Sequence, residues 1–157
     1  MRAPIAVVTV GPPGCGKSTF ARSFITGKPS TSHISINEIR RELTTDQNQS
    51  PRNGAVREVF LQRIAEYLLA GINVVIDSNN GLLTERQQLI SLCNQHGTSE
   101  IVAVHFEMDL ALCLARNRCR QQKAPEHEVR RIYELLRKAP PTRADGFDSV
   151  ITIPAQP

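Results

Sequence analysis

The amino-acid sequence predicts a three-layer α/β fold, with a small parallel sheet of about five strands and helices on both of its faces. Two observations support this prediction. Short apolar runs typical of buried strands alternate with segments whose apolar residues recur at helical spacing. A glycine-rich turn at residues 11–16 joins the first apolar run to the first helical segment, as in a β-α-β unit. We expect the 157 residues to form one domain with its own hydrophobic core.

The strands are predicted from five apolar runs. The first, IAVVTV, is typical of a strand buried in the sheet, and INVVID and IVAVHF are similar. HISI and SVITI are shorter and are predicted as short strands. The predicted strands cover residues 5–10, 33–36, 72–77, 101–106 and 149–153.

The helices are predicted from apolar periodicity and from glycines that follow it, such as Gly71 and Gly97. The polar, turn-rich segment 44–54 is predicted as a loop. The predicted helices cover residues 18–24, 37–43, 55–69, 83–96, 109–114 and 126–138. The apolar positions with helical spacing in the third helix are Val56, Val59, Phe60, Ile64, Tyr67 and Leu68, and those expected to point inward in the fourth are Leu89, Ile90 and Cys93.

The composition is that of a soluble globular protein, with 40% hydrophobic and 22% charged residues. The longest apolar run is too short to cross a membrane, and the N-terminal segment lacks the features of a signal peptide. The four cysteines, at positions 15, 93, 113 and 119, have no C-x-x-C spacing. We therefore expect a cytoplasmic protein with free thiols.

The net charge of +4 is unevenly distributed along the chain. Residues 116–143 contain nine Lys or Arg and three Glu, which gives this segment a charge of +6, whereas the remaining residues carry −2. A local basic segment indicates an anionic partner. Part of this charge is expected to meet the phosphates of a bound nucleotide, and part an anionic acceptor.

The stretch GPPGCGKST, between a predicted strand and a predicted helix, is typical of a loop that binds the phosphates of a nucleotide triphosphate. Its glycines allow the backbone to approach phosphate oxygens, and the following helix N-terminus favours negative charge. Lys17 is placed to reach the outer phosphates, and the Ser18 hydroxyl to bind Mg²⁺. The predicted nucleotide-binding residues of this loop are Gly11, Pro12, Gly14, Cys15, Gly16, Lys17, Ser18 and Thr19.

Other motifs narrow the class of phosphate-loop protein. The sequence has no Asn-Lys-x-Asp guanine motif and no Leu-Ser-Gly-Gly-Gln motif, and it is too short for the larger, oligomeric AAA⁺ architecture. A short chain with a basic segment late in the sequence favours an ATP-dependent phosphotransferase with a lid.

Three further segments follow strands at the edge of the sheet where ligands bind in such folds. In SINEIRREL, Arg40 is expected to face the cleft, and Arg41 is expected on the surface, because neighbours on a helix point about 100° apart. In VVIDSNNG, Asp77 lies at the tip of a buried strand, whereas Asn80 suits a turn that caps the next helix.

The third segment is RNRCRQQKAPEHEVRR, residues 116–131. Arg116 and Arg120 share a face if this part is helical. Cations that close over the transferring phosphoryl group are a common means of stabilising its charge.

In this order and spacing, the four segments resemble the 5′-hydroxyl polynucleotide kinases over about residues 5–138. GPPGCGKSTFAR resembles the phosphate loop of that family, INVVIDSNN its strand ending in Asp-x-Asn, and RNRCRQQKAP its lid, placed at about residues 116–126. The resemblance implies a P-loop kinase fold, ATP and Mg²⁺ as cofactors, a 5′-OH end of RNA or DNA as acceptor, and a role in nucleic-acid repair.

The resemblance also assigns roles to individual residues. It implies that Lys17 and Ser18 bind ATP with Mg²⁺, and that Arg120 binds the ATP phosphates together with Arg116. It further implies that Arg40 binds a phosphate of the acceptor strand and that Asp77 holds Arg40 in place.

One position departs from the family. Asn37 lies where the family carries an aspartate that takes the proton from the attacking hydroxyl. An amide can hold a hydroxyl by a hydrogen bond but cannot accept its proton. The adjacent Glu38 is expected to point about 100° away. Either the chain is weakly active, or the base lies elsewhere, or Asn37 was introduced to trap substrate.

Two alternatives remain open at this point. One is a small-molecule or nucleoside kinase of the same fold, and the other is a non-catalytic ATP-binding module. Aromatic residues make up only 4% of the chain and offer few stacking platforms for bases. A polynucleotide acceptor would therefore be recognised through its terminal nucleotides alone.

Overall fold

The computed structural model of the chain describes residues 2–44 and 51–154, and it contains the predicted sheet of five parallel strands. The strands lie in the order β2-β3-β1-β4-β5, and every neighbouring pair is parallel. Their bounds are β1 (Ile5–Val10), β2 (Thr31–Ser35), β3 (Asn73–Asp77), β4 (Glu100–Phe106) and β5 (Ser149–Ile153).

The helices cover both faces of this sheet, which confirms the three-layer prediction. On β1, Val8 packs with Phe60 and Leu89 on one face, whereas Val7 packs with Ala21 and Cys113 on the other, as strand alternation requires. The helices are α1 (Lys17–Ile25), α2 (Ile36–Leu43), α3 (Asn53–Leu69), α4 (Leu83–Gln95), α5 (Leu110–Arg118) and α6 (Glu126–Lys138), with a short 3₁₀ helix at Arg143–Asp145.

Periodicity identified the buried faces of the helices correctly. On α3 the fully buried residues recur every four positions, at Val56, Phe60, Ile64 and Leu68, while Val59 and Tyr67 are partly buried beside them. On α4, Leu89, Ile90 and Cys93 are all buried. The bounds of α6 and β5 are also those predicted.

Several predicted boundaries differ from those of the structure, and three of the differences lie near the candidate site. β2 ends at Ser35 and α2 begins at Ile36, because the Ser35 hydroxyl accepts a hydrogen bond from the Glu38 backbone N–H at 3.2 Å and caps the helix. Helix α5 runs to Arg118, four residues beyond the predicted end, so basic residues occupy its last turn, where the helix dipole favours cations. Helix α3 begins at Asn53, and residues 45–50 of the predicted loop lie outside the described residues.

Two further properties of the described residues bear on the predictions. No helix within residues 2–44 and 51–154 combines the length and the apolar character that spanning a membrane would need. The four cysteines are free thiols, and only Cys119 is exposed.

Candidate active site

A cavity of about 850 Å³ lies at the carboxyl edge of the sheet. Its walls come from the loop before α1, the first turns of α2, the tip of β3, and the segment between α5 and α6 together with α6 itself. Among the predicted site residues, those that line it are Gly14, Gly16, Lys17, Ser18, Thr19, Asn37, Arg40, Asp77, Arg116 and Arg120.

Three residues of the predicted nucleotide-binding set lie outside this wall. Cys15 is only 1% exposed, and its sulfur lies where a Cβ on Gly11 would come within 2.5 Å of it. Pro12 lines a second cavity, of about 480 Å³, together with residues 105–109. A nucleotide-binding role for these three residues stays a prediction, and their visible contacts are within the protein.

The glycines of the loop are needed for more than phosphate approach. Gly14 and Gly16 have φ angles of +86° and +100°, in the left-handed region that side chains disfavour. A Cβ on Gly14 would lie 2.5 Å from the carbonyl oxygen of Cys113 in α5. The loop therefore rests directly on the helix that leads into the lid segment, residues 116–126.

Lys17 is fixed by the loop that it belongs to. Its side chain is buried, and Nζ donates hydrogen bonds of 2.8 Å to the carbonyl oxygens of both Gly11 and Pro12. The ammonium group is thus held at the centre of the loop, beside the backbone N–H groups at the start of α1. Such a cluster of donors at a helix N-terminus is suited to binding phosphate.

Asp77 lies at the tip of β3 and is 4% exposed. Its Oδ2 accepts a hydrogen bond from the Ser18 hydroxyl at 2.8 Å, and lies 2.8 Å from Nε2 of His33. Burial raises the pKa of this carboxyl, but the hydrogen bonds from His33 and Ser18 and the charge of Lys17 outweigh burial and hold the pKa below its ordinary value. Asp77 is therefore an anion at the floor of the cavity.

The expectation that Asp77 holds Arg40 in place is corrected by these contacts. Arg40 instead donates a 2.7 Å hydrogen bond from Nη1 to Oδ1 of Asn53, at the start of α3. The strand register explains the difference, because Ser35 of β2 lies level with Asp77 and His33 points to the same side two residues earlier. The sequence reasoning missed His33, although strand alternation with Ser35 could have indicated it.

The turn after β3 also differs from its predicted role. Asn80 is 1% exposed with a φ of +53°, and its amide donates to the carbonyl oxygen of Thr9 at 2.8 Å. The Gly11 N–H donates to the carbonyl oxygen of Asn79 at 3.0 Å. Asn80 is therefore a brace between β1 and β3 and does not cap α4, which begins at Leu83.

The first turns of α2 form one wall of the cavity. Asn37, Glu38, Arg40 and Arg41 all line it, while Ile39 between them is 1% exposed and anchors the helix in the core. The prediction that Glu38 points away from the site was therefore wrong, whereas Arg41 is exposed, as expected, and also lines the cavity. At this end of α2 a wide arc of the helix faces the cavity, so residues 100° apart both reach it.

The segment predicted as the lid, residues 116–126, contributes another part of the cavity wall. Arg116 and Arg120 line the cavity, and the loop between them and α6 is held by Asn117, which is 1% exposed. The Asn117 side chain donates to the carbonyl oxygen of Ala124 at 2.7 Å and accepts from its N–H at 3.0 Å. This pair of bonds fixes the loop that carries Arg120.

The cavity wall is strongly cationic. Arg22, which the site prediction left out, lies one helical turn after Ser18 on α1, so helical spacing could have revealed it. The cations on the wall are Lys17, Arg22, Arg40, Arg41, Arg116, Arg120 and Lys123, and the acids are Glu38, Asp77 and Glu128. This excess of positive charge fits a ligand with several negative charges.

The residues at the cavity floor fit a magnesium-bound nucleotide. The Ser18 hydroxyl and the Asp77 carboxylate, joined at 2.8 Å, are the hard oxygen groups that Mg²⁺ prefers. Within the described part of the chain, no group of three or more His, Cys, Asp or Glu could hold a metal ion. Such sparse protein ligation suits Mg²⁺, which is commonly held largely by substrate phosphates and water.

Comparison with known proteins shows the family to which the chain belongs. A family described as an AAA domain matches residues 7–139, most of the chain. The chain is 27% identical over 131 residues to the L-seryl-tRNA(Sec) kinase of Methanococcus maripaludis, and 25% identical over 115 residues to ribosome biogenesis protein BMS1 of Saccharomyces cerevisiae. These matches cover 82% and 68% of the chain, but only 51% and 9% of the two relatives.

Solved structures that share the fold include the following two. One is a chain of the Pnkp1/Rnl/Hen1 RNA repair complex, at 24% identity and a TM-score of 0.76, covering 94% of this chain and 47% of that one. The other is a gluconokinase from Sinorhizobium meliloti 1021, at 19% identity and a TM-score of 0.62, covering 100% of this chain and 86% of that one. The fold is therefore that of P-loop kinases, as the resemblance implied.

Proposed function

Since the chain belongs to the AAA-domain family and has the P-loop kinase fold, we propose that it transfers the γ-phosphate of ATP to a 5′-hydroxyl end of RNA or DNA. The observation that carries this proposal is the shared cavity, because the phosphate loop and the arginines of α2 both line it. A donor phosphate and an anionic acceptor can meet there.

The donor side is formed by residues that are already held in place. The backbone N–H groups at the start of α1 and the Lys17 ammonium would bind the outer phosphates, and Arg116 and Arg120 would approach them from the lid segment. Ser18 and Asp77 would hold the magnesium ion and its water. ATP with Mg²⁺ supplies the phosphoryl group and offsets part of its charge.

The acceptor side is the wall formed by α2. Arg40 is half-buried and Arg41 exposed, and both guanidinium groups would bind phosphates of the acceptor strand. The Asn37 amide would hold the attacking hydroxyl by a hydrogen bond. A neutral sugar would leave the two arginines without anionic partners, so the charge of this wall favours a polyanionic acceptor.

The similar proteins also bear on the class of acceptor. One relative is named as a tRNA kinase and one structural neighbour as part of an RNA repair complex, which favours a nucleic-acid acceptor. The gluconokinase neighbour keeps a small-molecule acceptor as the alternative. The chain spans about half the length of its tRNA kinase relative, so the acceptor of that whole protein is no direct guide.

The test is transfer of label from γ-labelled ATP to a panel of acceptors. The panel contains 5′-OH oligonucleotides of both sugars, a nucleoside 3′-phosphate, nucleosides and simple sugars. We expect labelled oligonucleotides and a labelled nucleoside 3′-phosphate. Labelling of the sugars or nucleosides alone would replace this proposal with the small-molecule alternative. ATP binding without transfer to any acceptor would favour a non-catalytic module.

A further inference from the structure

The proposed reaction requires a group that accepts the proton of the attacking hydroxyl, and the Asn37 amide cannot do so. We propose that Glu38 is the general base of this chain. This inference rests on the proposed function, because a base is needed only if a hydroxyl is phosphorylated. It names the residue that removes the proton from the attacking hydroxyl, a step that Asn37 cannot perform.

The position of Glu38 is suited to this role. It lies in the first turn of α2, on the same wall as Asn37 and next to Arg40 and Arg41, the proposed acceptor-binding residues. The Ser35 hydroxyl caps the helix through the Glu38 backbone N–H, and Ile39 anchors it in the core. The backbone that carries Glu38 is therefore fixed at the cavity wall, while its side chain is 47% exposed.

The other two carboxylates on the described part of the cavity wall are already bonded. Asp77 accepts from Ser18 and interacts with His33, and its pKa is lowered by these contacts. Glu128 accepts from Arg131 at 2.9 and 3.0 Å, and these hydrogen bonds lower its pKa. A carboxylate stabilised as an anion by such bonds is a weak proton acceptor.

Glu38 differs from both. Within residues 2–44 and 51–154, its carboxylate makes no hydrogen bond, and its nearest ionic contact is Nη2 of Arg41 at 3.9 Å. Its side chain is 47% exposed, which leaves its oxygens accessible to a hydroxyl in the cavity. Among the carboxylates of the described cavity wall, Glu38 is thus the one that can take up a proton without breaking a bond.

The proposed step balances as follows. The acceptor oxygen forms a bond to the γ-phosphorus while the bond from that phosphorus to the β–γ bridging oxygen breaks, and ADP leaves with the electron pair. The hydroxyl proton moves to a Glu38 carboxylate oxygen. The exposed carboxyl then releases this proton to solvent, which restores the anion for the next turnover.

The experiment compares Glu38→Gln with wild type at saturating ATP and 5′-OH oligonucleotide. We expect kcat to fall about 10²-fold, the lower end of general-base contributions, because proton transfer is late in a loose phosphoryl-transfer transition state. The KM for ATP should stay the same. The matched control is Glu42→Gln, on the same helix but paired with Arg63 outside the cavity, which should retain wild-type kcat.

A rescue variant separates a base from a merely structural residue. Asn37→Asp combined with Glu38→Gln should restore kcat to at least the wild-type value, since the carboxylate is returned one residue away. An equal kcat for Glu38→Gln and Glu42→Gln would overturn the inference, as would a loss that Asn37→Asp fails to rescue.

The same set of variants distinguishes this inference from the proposed function. Transfer by wild type that is unaffected by Glu38→Gln overturns the base and leaves the function standing. Transfer by Asn37→Asp but not by wild type also overturns the base and leaves the function standing, because Glu38 would then fail to act as a base beside Asn37. If neither wild type nor Asn37→Asp transfers phosphate to any acceptor, the proposed function is overturned and the inference with it.

Discussion

The two sides of the cavity are built differently. On the phosphate side, Lys17 and Asp77 are buried, and each makes two contacts of 2.8 Å with neighbouring groups of the protein. On the α2 side, Arg40 makes one hydrogen bond to Asn53, and Arg41 lies 3.9 Å from Glu38. The first set is fixed before any ligand binds, whereas the second can reorient around one.

This difference indicates a division of roles. Preorganised donors reduce the reorganisation needed when charge develops on a transferring phosphoryl group, so the fixed side is suited to the chemistry. Long, exposed side chains adapt to an acceptor and contribute specificity. A gluconokinase and a chain of an RNA repair complex share this fold, which is compatible with such a division.

The largest effect is expected from removing the fixed cation. Lys17→Ala should lower label transfer from ATP by at least about 10³-fold, because its buried ammonium is the charge proposed to bind the outer phosphates. Lys28→Ala is the matched control, since Lys28 is exposed beyond α1, outside the cavity wall, and should keep wild-type activity. Substantial transfer by Lys17→Ala would remove the phosphate loop from the proposed mechanism.

The acceptor side should respond through affinity. Arg40→Ala should raise the KM for a 5′-OH oligonucleotide about ten- to a hundred-fold, the range of a charge-assisted hydrogen bond, with little change in the KM for ATP. The wild-type KM should also rise with salt, and less steeply in the variant. Arg63→Ala, on α3 and outside the cavity, is the control. A rise in the KM for ATP alone would place Arg40 on the donor side instead.

His33 tests whether the fixed side depends on contacts behind the cavity wall. His33→Leu removes the hydrogen-bond donor to Asp77, and the Mg²⁺ concentration for half-maximal activity should rise about tenfold, as for other residues that orient metal-binding groups. His33→Gln keeps an N–H donor and should remain closer to wild type, and His127→Gln, exposed on α6, should be unaffected. Equal Mg²⁺ requirements for Leu and Gln would mean that His33 serves packing alone.

The Asn37→Asp variant tests the effect of a second carboxylate on the acceptor side of the cavity. If Glu38 already acts as base, a second carboxylate at position 37 should raise kcat by about tenfold or less, well below the general range for supplying a missing base. The KM for ATP should not change, because the fixed side is untouched. A decrease in kcat would mean that the Asn37 amide holds the hydroxyl in a way that a carboxylate cannot.

The smallest effect concerns stability and pH. The pKa of Asp77 is lowered in the folded protein, so its ionised form stabilises the fold above the ordinary carboxyl pKa of about 4, and this contribution is lost as pH falls through the lower folded value. The free energy of unfolding of wild type should therefore fall more between about pH 5 and pH 2 than that of Asp77→Asn. Parallel curves for the two proteins would show that the charge of Asp77 is not linked to folding.

Local sequence patterns predicted much of the secondary structure and the loop around Lys17. The strand, glycine-rich turn and helix around Lys17 follow from residues that are neighbours in sequence, as do the bounds of α6 at 126–138 and β5 at 149–153. Hydrophobic periodicity reports which side of an element is buried, so the buried stripe of α3 from Val56 to Leu68 was also predictable.

What the sequence could not determine depends on how the elements meet. His33 and Asp77 are 44 positions apart, and only the β2–β3 register brings them to 2.8 Å. Glu38 and Arg41 face the cavity because of the rotation of α2 about its axis, which is set by Ile39 in the core and by contacts from distant segments. Periodicity gives the faces of a helix relative to one another, but packing against the rest of the chain decides which of them opens onto the site.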